Sequence, residues 1–410
     1  MTPSALRHRT SASEWIGSIP LVDHHCHGIL ATPANRSRFE DLITESDGHA
    51  PRGTTMFDTQ LGFAIRRHCA PLLDAEPFCS PDEYIEARSA LSADEVGRRL
   101  LRPSGFETLL IETGHRGDEI LGPAHMGATA NAGYAEVVRL EVLAEELVEA
   151  GVHPSGFVDE YARVLDERLR TAVGAKTIAA YRTGLDFDPS RPTHADVARA
   201  VGAWIDRISN YPGSIRLEDP VIIRHLIWSA IDRAVPIQFH VGYGDPDVDL
   251  HRCNPLLLTD LLRATRGSGS DILLLHCYPF HREAGYLAHC FEHVYCDVGL
   301  AINYTGSQSA QIIAESLELT PFHKALFSSD AWGAAELYHL GALLFRRGLA
   351  EALDDWARRD QWPIAEQQRV AQMISRDNAR RVYRLDQLPS ATLPSSTAHP
   401  STPSTHGASD

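Results

Sequence analysis

His25 and His27 close the stretch Leu21-Val22-Asp23-His24-His25-Cys26-His27-Gly28, two residues apart at the end of an apolar lead-in. In an extended strand that spacing puts both imidazoles on one side. Two neutral imidazoles converging on one point suit a divalent transition metal. A bare His-x-His pair also occurs among ordinary hydrogen-bonded histidines, so other parts of the chain must decide. The same alternation is expected to turn His24 and Cys26 away from the metal side, where they should tolerate change, and leaves Asp23 to support the strand end.

Further polar residues mark the ends of later apolar runs. Lys176 lies in Ala172–Ala179, His240 in Pro236–Val241, His276 follows Ile272–Leu275, and Asp330 follows Lys324–Ser328. Each has a structural reading by itself: a core histidine bonded to backbone, a lysine whose stem packs, an aspartate that caps a helix. Their shared position, each at a strand end, favours one polar rim.

The elements that must position them recur in a rhythm. Leu21–Cys26, Phe106–Ile111, Ala135–Leu140, Ala172–Ala179, Pro236–Val241, Ile272–Leu275, Val294–Val298 and Lys324–Ser328 make eight short apolar runs. Amphipathic segments such as Glu141–Ala150 and Thr193–Ser209 separate them, as parallel βαβ units require. The expected fold is α/β, a (β/α)8 TIM-type barrel whose chemistry sits at the C-terminal strand ends. The stretch 31–103 is too long for a connection and reads as a largely helical insertion after strand 1, with starts at Ser80 and Ser92. The barrel should occupy 15–386, and the Ser/Thr/Pro-rich 387–410 should be a disordered tail.

The 410 residues include 38 basic and 54 acidic ones, a formal net charge of −16. That balance lacks the positive field that nucleic acid or an anionic membrane needs. No run of about 18 apolar residues could span a bilayer and no signal-peptide core opens the chain, so a soluble cytoplasmic protein is expected. Seven cysteines without a Cys-x-x-Cys pair indicate neither a disulfide scaffold nor a zinc ribbon.

Asp23-x-His25-x-His27 with His240, His276 and Asp330 in Ser328-Ser329-Asp330 resembles the amidohydrolase superfamily. The segments 176–185, Gln238-Phe239-His240-Val241-Gly242-Tyr243-Gly244-Asp245 with Asn254-Pro255, and 275–280 are more closely similar to its amidohydrolase-2 branch. Within that branch they resemble the domain fused to glutamine synthetase in nodulin/glutamine-synthetase (FluG-type) proteins. The resemblance spans about residues 15 to 386, is weak across the insertion, and lacks the synthetase half. Trp332 departs from the Asp-x-His ending of the fused relatives.

The resemblance implies that His25, His27 and Asp330 bind a metal, with His240 and His276 binding or flanking it. Nitrogen and carboxylate donors with an open position suit zinc, with manganese or iron as alternatives. Lys176 either bridges two ions after carboxylation or, unmodified with one ion, pairs with a substrate carboxylate. Asp330 would accept the proton of water and pass it to the leaving group, while His276 or His240 polarises the carbonyl. Arg182, Glu112, Tyr243 and Tyr278 are candidate substrate contacts, and Arg182 is the preferred anchor for an anion. Arg139, Glu141 and Asp245 also fall on the rim, and Asp297 behind it. The expected activity is hydrolysis of a C–N amide bond, with a γ-glutamyl amide as leading substrate. Decarboxylation, isomerisation, lactone hydrolysis or a degenerate scaffold barrel are the alternatives. The expected partner is a small-molecule substrate, and self-association into a homo-oligomer is compatible with such a barrel.

Overall fold

The computed structural model describes residues 11–210 and 215–387, so the expected tail lies, from residue 388 on, outside the described residues. Seven parallel strands pair in chain order: β1 (Leu21–Cys26), β2 (Phe106–Glu112), β3 (Gly133–Arg139), β4 (Ala172–Thr177), β5 (Ile237–Val241), β6 (Ile272–His276) and β7 (Val294–Cys296). Helices cover the outside, so the strands are buried on both faces, which is why they read as nearly continuous apolar runs.

The eighth run closes the ring without a regular ladder. Leu326 N–H donates to Cys296 O at 3.0 Å on one side, and His24 N–H donates to Phe327 O at 3.2 Å on the other. The run expected as a strand over Lys324–Ser328 therefore takes the eighth position but is not a strand in its hydrogen bonding. The Asp23 carboxylate takes the Ser329 N–H (3.0 Å), and Asp330 turns the chain out of extended geometry at φ 49°. The whole is the α/β barrel the sequence implies.

Two apolar cores result. The larger lies between strands and outer helices. A smaller one gathers Val22, Leu110, Val137, Leu273 and Leu326 and is capped by Val382 of the helix Asn378–Val382 and by Tyr383, which follows it. Between β1 and β2 stand the helices Arg36–Asp41, Gln60–Ala64, Pro81–Ser89 and Ala93–Leu101. Ser80 caps the third with a capping box to Glu83, and Ser92 caps the fourth. Residues 42–59 contain no helix and run beside the strand ends. Among the described residues no helix is long and apolar enough to cross a membrane.

Strand β1 carries an irregularity that matters for the site. Asp23 pairs with Leu109 and Cys26 with Ile111, so three steps on β1 face two on β2. An extra residue in one strand breaks the alternation of side chains. Cys26 still packs outward, its thiol towards Leu110 O. His24 does not face away as alternation implied: its fully buried ring holds Asp297 Oδ2 at 2.9 Å and Tyr383 Oη at 3.1 Å.

Candidate metal centre and its cavity

The C-terminal ends of β1, β4, β5 and β6 and the eighth run bring six of the expected residues together. His25 Nε2 lies 3.0 Å from Asp330 Oδ1, His27 Nε2 3.7 Å from the same oxygen, and His276 Nδ1 3.4 Å from Asp330 Oδ2. Ligand atoms of His25, His276 and Asp330 all fall within 4.8 Å of one another. The His240 ring centre is 4.7 Å from that of His276. Lys176 Nζ sits 2.9 Å from His25 Nε2.

These residues are held by others behind them. The Asp297 carboxylate accepts the His276 N–H at 3.0 Å and the Ser328 hydroxyl at 2.9 Å, while His24 grips its other oxygen. Asp23 accepts both the N–H and the hydroxyl of Ser329, next to Asp330. His27 Nδ1 lies 3.1 Å from Glu112 O, so Nε2 is the nitrogen turned to Asp330. His276, Cys277 and Asp330 have φ of 69°, 53° and 49°, left-handed conformations that cost non-glycine residues and collect at functional sites.

Protonation states follow from burial and charge. Burial, with Lys176 nearby, holds His25 and His240 well below the usual imidazole range, and burial lowers His276 as well. Burial likewise lowers Lys176. Burial alone would raise Asp330, but His276 and hydrogen bonds from His25 and His27 outweigh it and hold the carboxyl well below its usual range. Neutral imidazoles around an ionised carboxylate are what metal binding requires. The donors also fit by default of other partners: both ring nitrogens of His276 and His240 Nε2 are buried without a hydrogen bond. Such atoms each cost about 1–3 kcal/mol unless something meets them.

Above the centre opens a cavity of about 570 Å3, lined by His27, Lys176, His240, His276 and Asp330 and by residues from the surrounding loops. Arg182 lines it, and its Nε is buried with no partner. Glu112, Tyr243 and Tyr278 are not among the lining residues. Glu112 is fully buried, bonded by Arg139 and the Gly114 N–H, because its strand-end side chain turns to the wall rather than the opening. Tyr243 and Tyr278 pack against each other edge-on at 6.5 Å, and Tyr278 stacks on His281. Glu141 is also buried, accepting the Thr177 hydroxyl and the Ile178 N–H.

Several lining residues carry no sequence signal. His115 packs edge-on to Trp332 at 5.3 Å, and Arg38 and Arg116 lie over the Trp332 ring. Tyr181 packs on His240 at 4.4 Å. Gly244 is required beside this pair, since a Cβ there would come within 2.4 Å of the Tyr181 hydroxyl. Glu45 enters from the insertion and accepts a hydrogen bond from Tyr304. Tyr181 and Gly244 stood in segments that the resemblance singled out, and Trp332 stood out only as a departure from it.

The chain is similar to known proteins in sequence and fold. Residues 98–385 match the family model described as Amidohydrolase, the amidohydrolase-2 model. The protein fluG of Emericella nidulans is 28% identical over 434 aligned residues, covering 96% of this chain and 48% of fluG, so the chain spans about half the length of that relative. A crystal structure from Lactobacillus casei ATCC 334, assigned as a metal-dependent hydrolase, superposes with a TM-score of 0.79 at 28% identity over 92% of this chain and 98% of that one. A uronate isomerase from Bacillus halodurans C-125 shares the fold, with a TM-score of 0.60 at 14% identity over 91% and 95% of the two chains. With its barrel, its His-His-Asp cluster and a family match covering most of its length, this chain belongs to the amidohydrolase-2 family.

Proposed function

We propose that this chain is a metal-dependent hydrolase that cleaves the C–N bond of a small amide bearing a carboxylate. One observation carries the reading: His25, His276 and Asp330 converge within 4.8 Å of one another under a cavity that Arg182 also lines. His25, His27, His276 and Asp330 would hold the ion, zinc before manganese or iron by the chemistry of the donors. When bound, such an ion supplies Lewis acidity and lowers the pKa of water.

The protein's own residues account for the rest. Asp330, ionised and facing the cavity, takes a proton from water and returns it to the departing nitrogen. His240 Nε2, buried and unbonded, can donate to the scissile carbonyl when that nitrogen carries its proton. The Arg182 guanidinium, partly paired with Glu145 at 3.4 Å, keeps Nε–H for a carboxylate. Lys176 Nζ lies 2.9 Å from the His25 nitrogen that faces Asp330, so this contact must open when His25 Nε2 becomes a ligand. A γ-glutamyl amide is the leading substrate, following the resemblance to domains fused to glutamine synthetase.

Metal-loaded protein should release amine from one of a set of γ-glutamyl amides, and Asp330→Asn should lower kcat/KM by about 10^2–10^4-fold. Turnover of a uronate, a lactone or an aromatic acid with no amide cleaved would replace this reading.

A further inference from the structure

Two parts of the cavity wall differ chemically once Arg38 and Arg116, which lie over Trp332, are set aside as partners of Glu119. Arg139 and Arg182 lie at and just after the ends of β3 and β4, each with a buried Nε–H that has no acceptor. Tyr304, following β7, and Asp330, ending the eighth run, lie half a barrel away in strand order. There Glu45 reaches the cavity from the insertion and is fixed by the Tyr304 hydroxyl. The other charges acting on Glu45 are the carboxylates of Asp330 and Asp245, and no arginine or lysine is among them. Burial, and then those carboxylates, pushes the Glu45 carboxyl up to about 7. Arg182 by contrast feels Glu145, Arg216, Glu141 and Arg139. Tyr181 lies between, acted on by Glu45, Asp245 and Asp330 and also by Arg139.

A partly buried carboxyl without a basic partner is costly in the empty protein and becomes favourable when a cation meets it. Donors lacking acceptors on one side and an acceptor lacking a cation on the other describe a dipolar ligand. We propose that the cavity takes a substrate carrying an ammonium group as well as a carboxylate, with Glu45, held by Tyr304, reading the ammonium. This rests on the hydrolase reading only for the identity of the scissile bond. Glu45 lies outside the residues matched by the family model, so the specificity it confers belongs to the insertion.

Equilibrium binding separates the two ideas. Glutamate and glutarate, which differ by the ammonium alone, are titrated calorimetrically into the metal-loaded protein. Wild type should prefer glutamate by about tenfold or more. Glu45→Gln should bring the two ligands to within about twofold of each other, and Tyr304→Phe should lower the preference partway, both variants still melting cooperatively. Equal affinity of wild type for the two ligands, binding of neither, or a preference that survives Glu45→Gln overturns the proposal. A Glu45-dependent preference in a protein that cleaves no amide leaves the ammonium subsite standing and removes the hydrolase reading. Amide cleavage without the preference does the reverse.

Discussion

At the scale of single residues, the donors of this site were legible because each ends an apolar run, and the residues that hold them were not. Periodicity paired His25 with His27, and the shared position of His240, His276 and Asp330 at the ends of later apolar runs put them on the same rim. His24 shows where that logic stops. Strict alternation turned it away from the site, yet the irregular pairing of β1 brings its ring inside, between Asp297 and Tyr383. No pattern in one strand reveals a shift that depends on the register of its neighbour. The consequence is measurable. His24→Ala leaves the buried Asp297 carboxylate without its imidazole and should cost about 3 kcal/mol, the scale of breaking one partner out of a buried pair. Denaturant unfolding of metal-free protein checks this, and a loss below about 1 kcal/mol would mean that the contact is incidental.

At the scale of elements, the insertion was readable as helices from the Ser80 and Ser92 caps but not as part of the site. Glu45 lies in its irregular stretch, where side-chain direction is set by tertiary contacts rather than by a local period. What fixes the insertion against the barrel is a buried cluster: Arg88 Nε and the Tyr84 hydroxyl both reach Glu336 Oε1, at 2.8 and 2.9 Å. Arg88 belongs to the helix Pro81–Ser89, Glu336 to the first turn of the long helix Ala335–Asp360 that follows the Asp330 turn. The pair therefore links the element carrying the insertion to the one that begins beside the metal centre. Arg88→Met keeps the volume and removes the charge. It should destabilise by about 3 kcal/mol, because Glu336 stays buried with Tyr84 alone. Urea unfolding measures the loss, and an unchanged midpoint would show that the helices are held by apolar packing instead.

At the scale of the whole molecule, the barrel is closed at one end and polar at the other. Val382, Tyr383 and Leu385 join the inner core, and the Tyr383 hydroxyl touches His24 and accepts from Gln238 Nε2 at 2.7 Å, so the plug reaches the layer just beneath the site. The rim instead gathers buried imidazole nitrogens with no partners around an ionised carboxylate, an arrangement that subtracts from stability in the metal-free protein. An ion that binds only the folded chain stabilises it by mass action, about 2.7 kcal/mol when its free concentration is a hundred times Kd. Adding zinc, manganese or iron(II) to chelator-stripped protein should therefore raise Tm in a concentration-dependent way for at least one of the three. Asp330→Asn should abolish the rise. Arg182→Ala should retain it, since Arg182 lines the cavity without joining the metal cluster. If none of the metals moves Tm, or if the rise survives Asp330→Asn, the His-His-Asp cluster is not where this protein holds an ion.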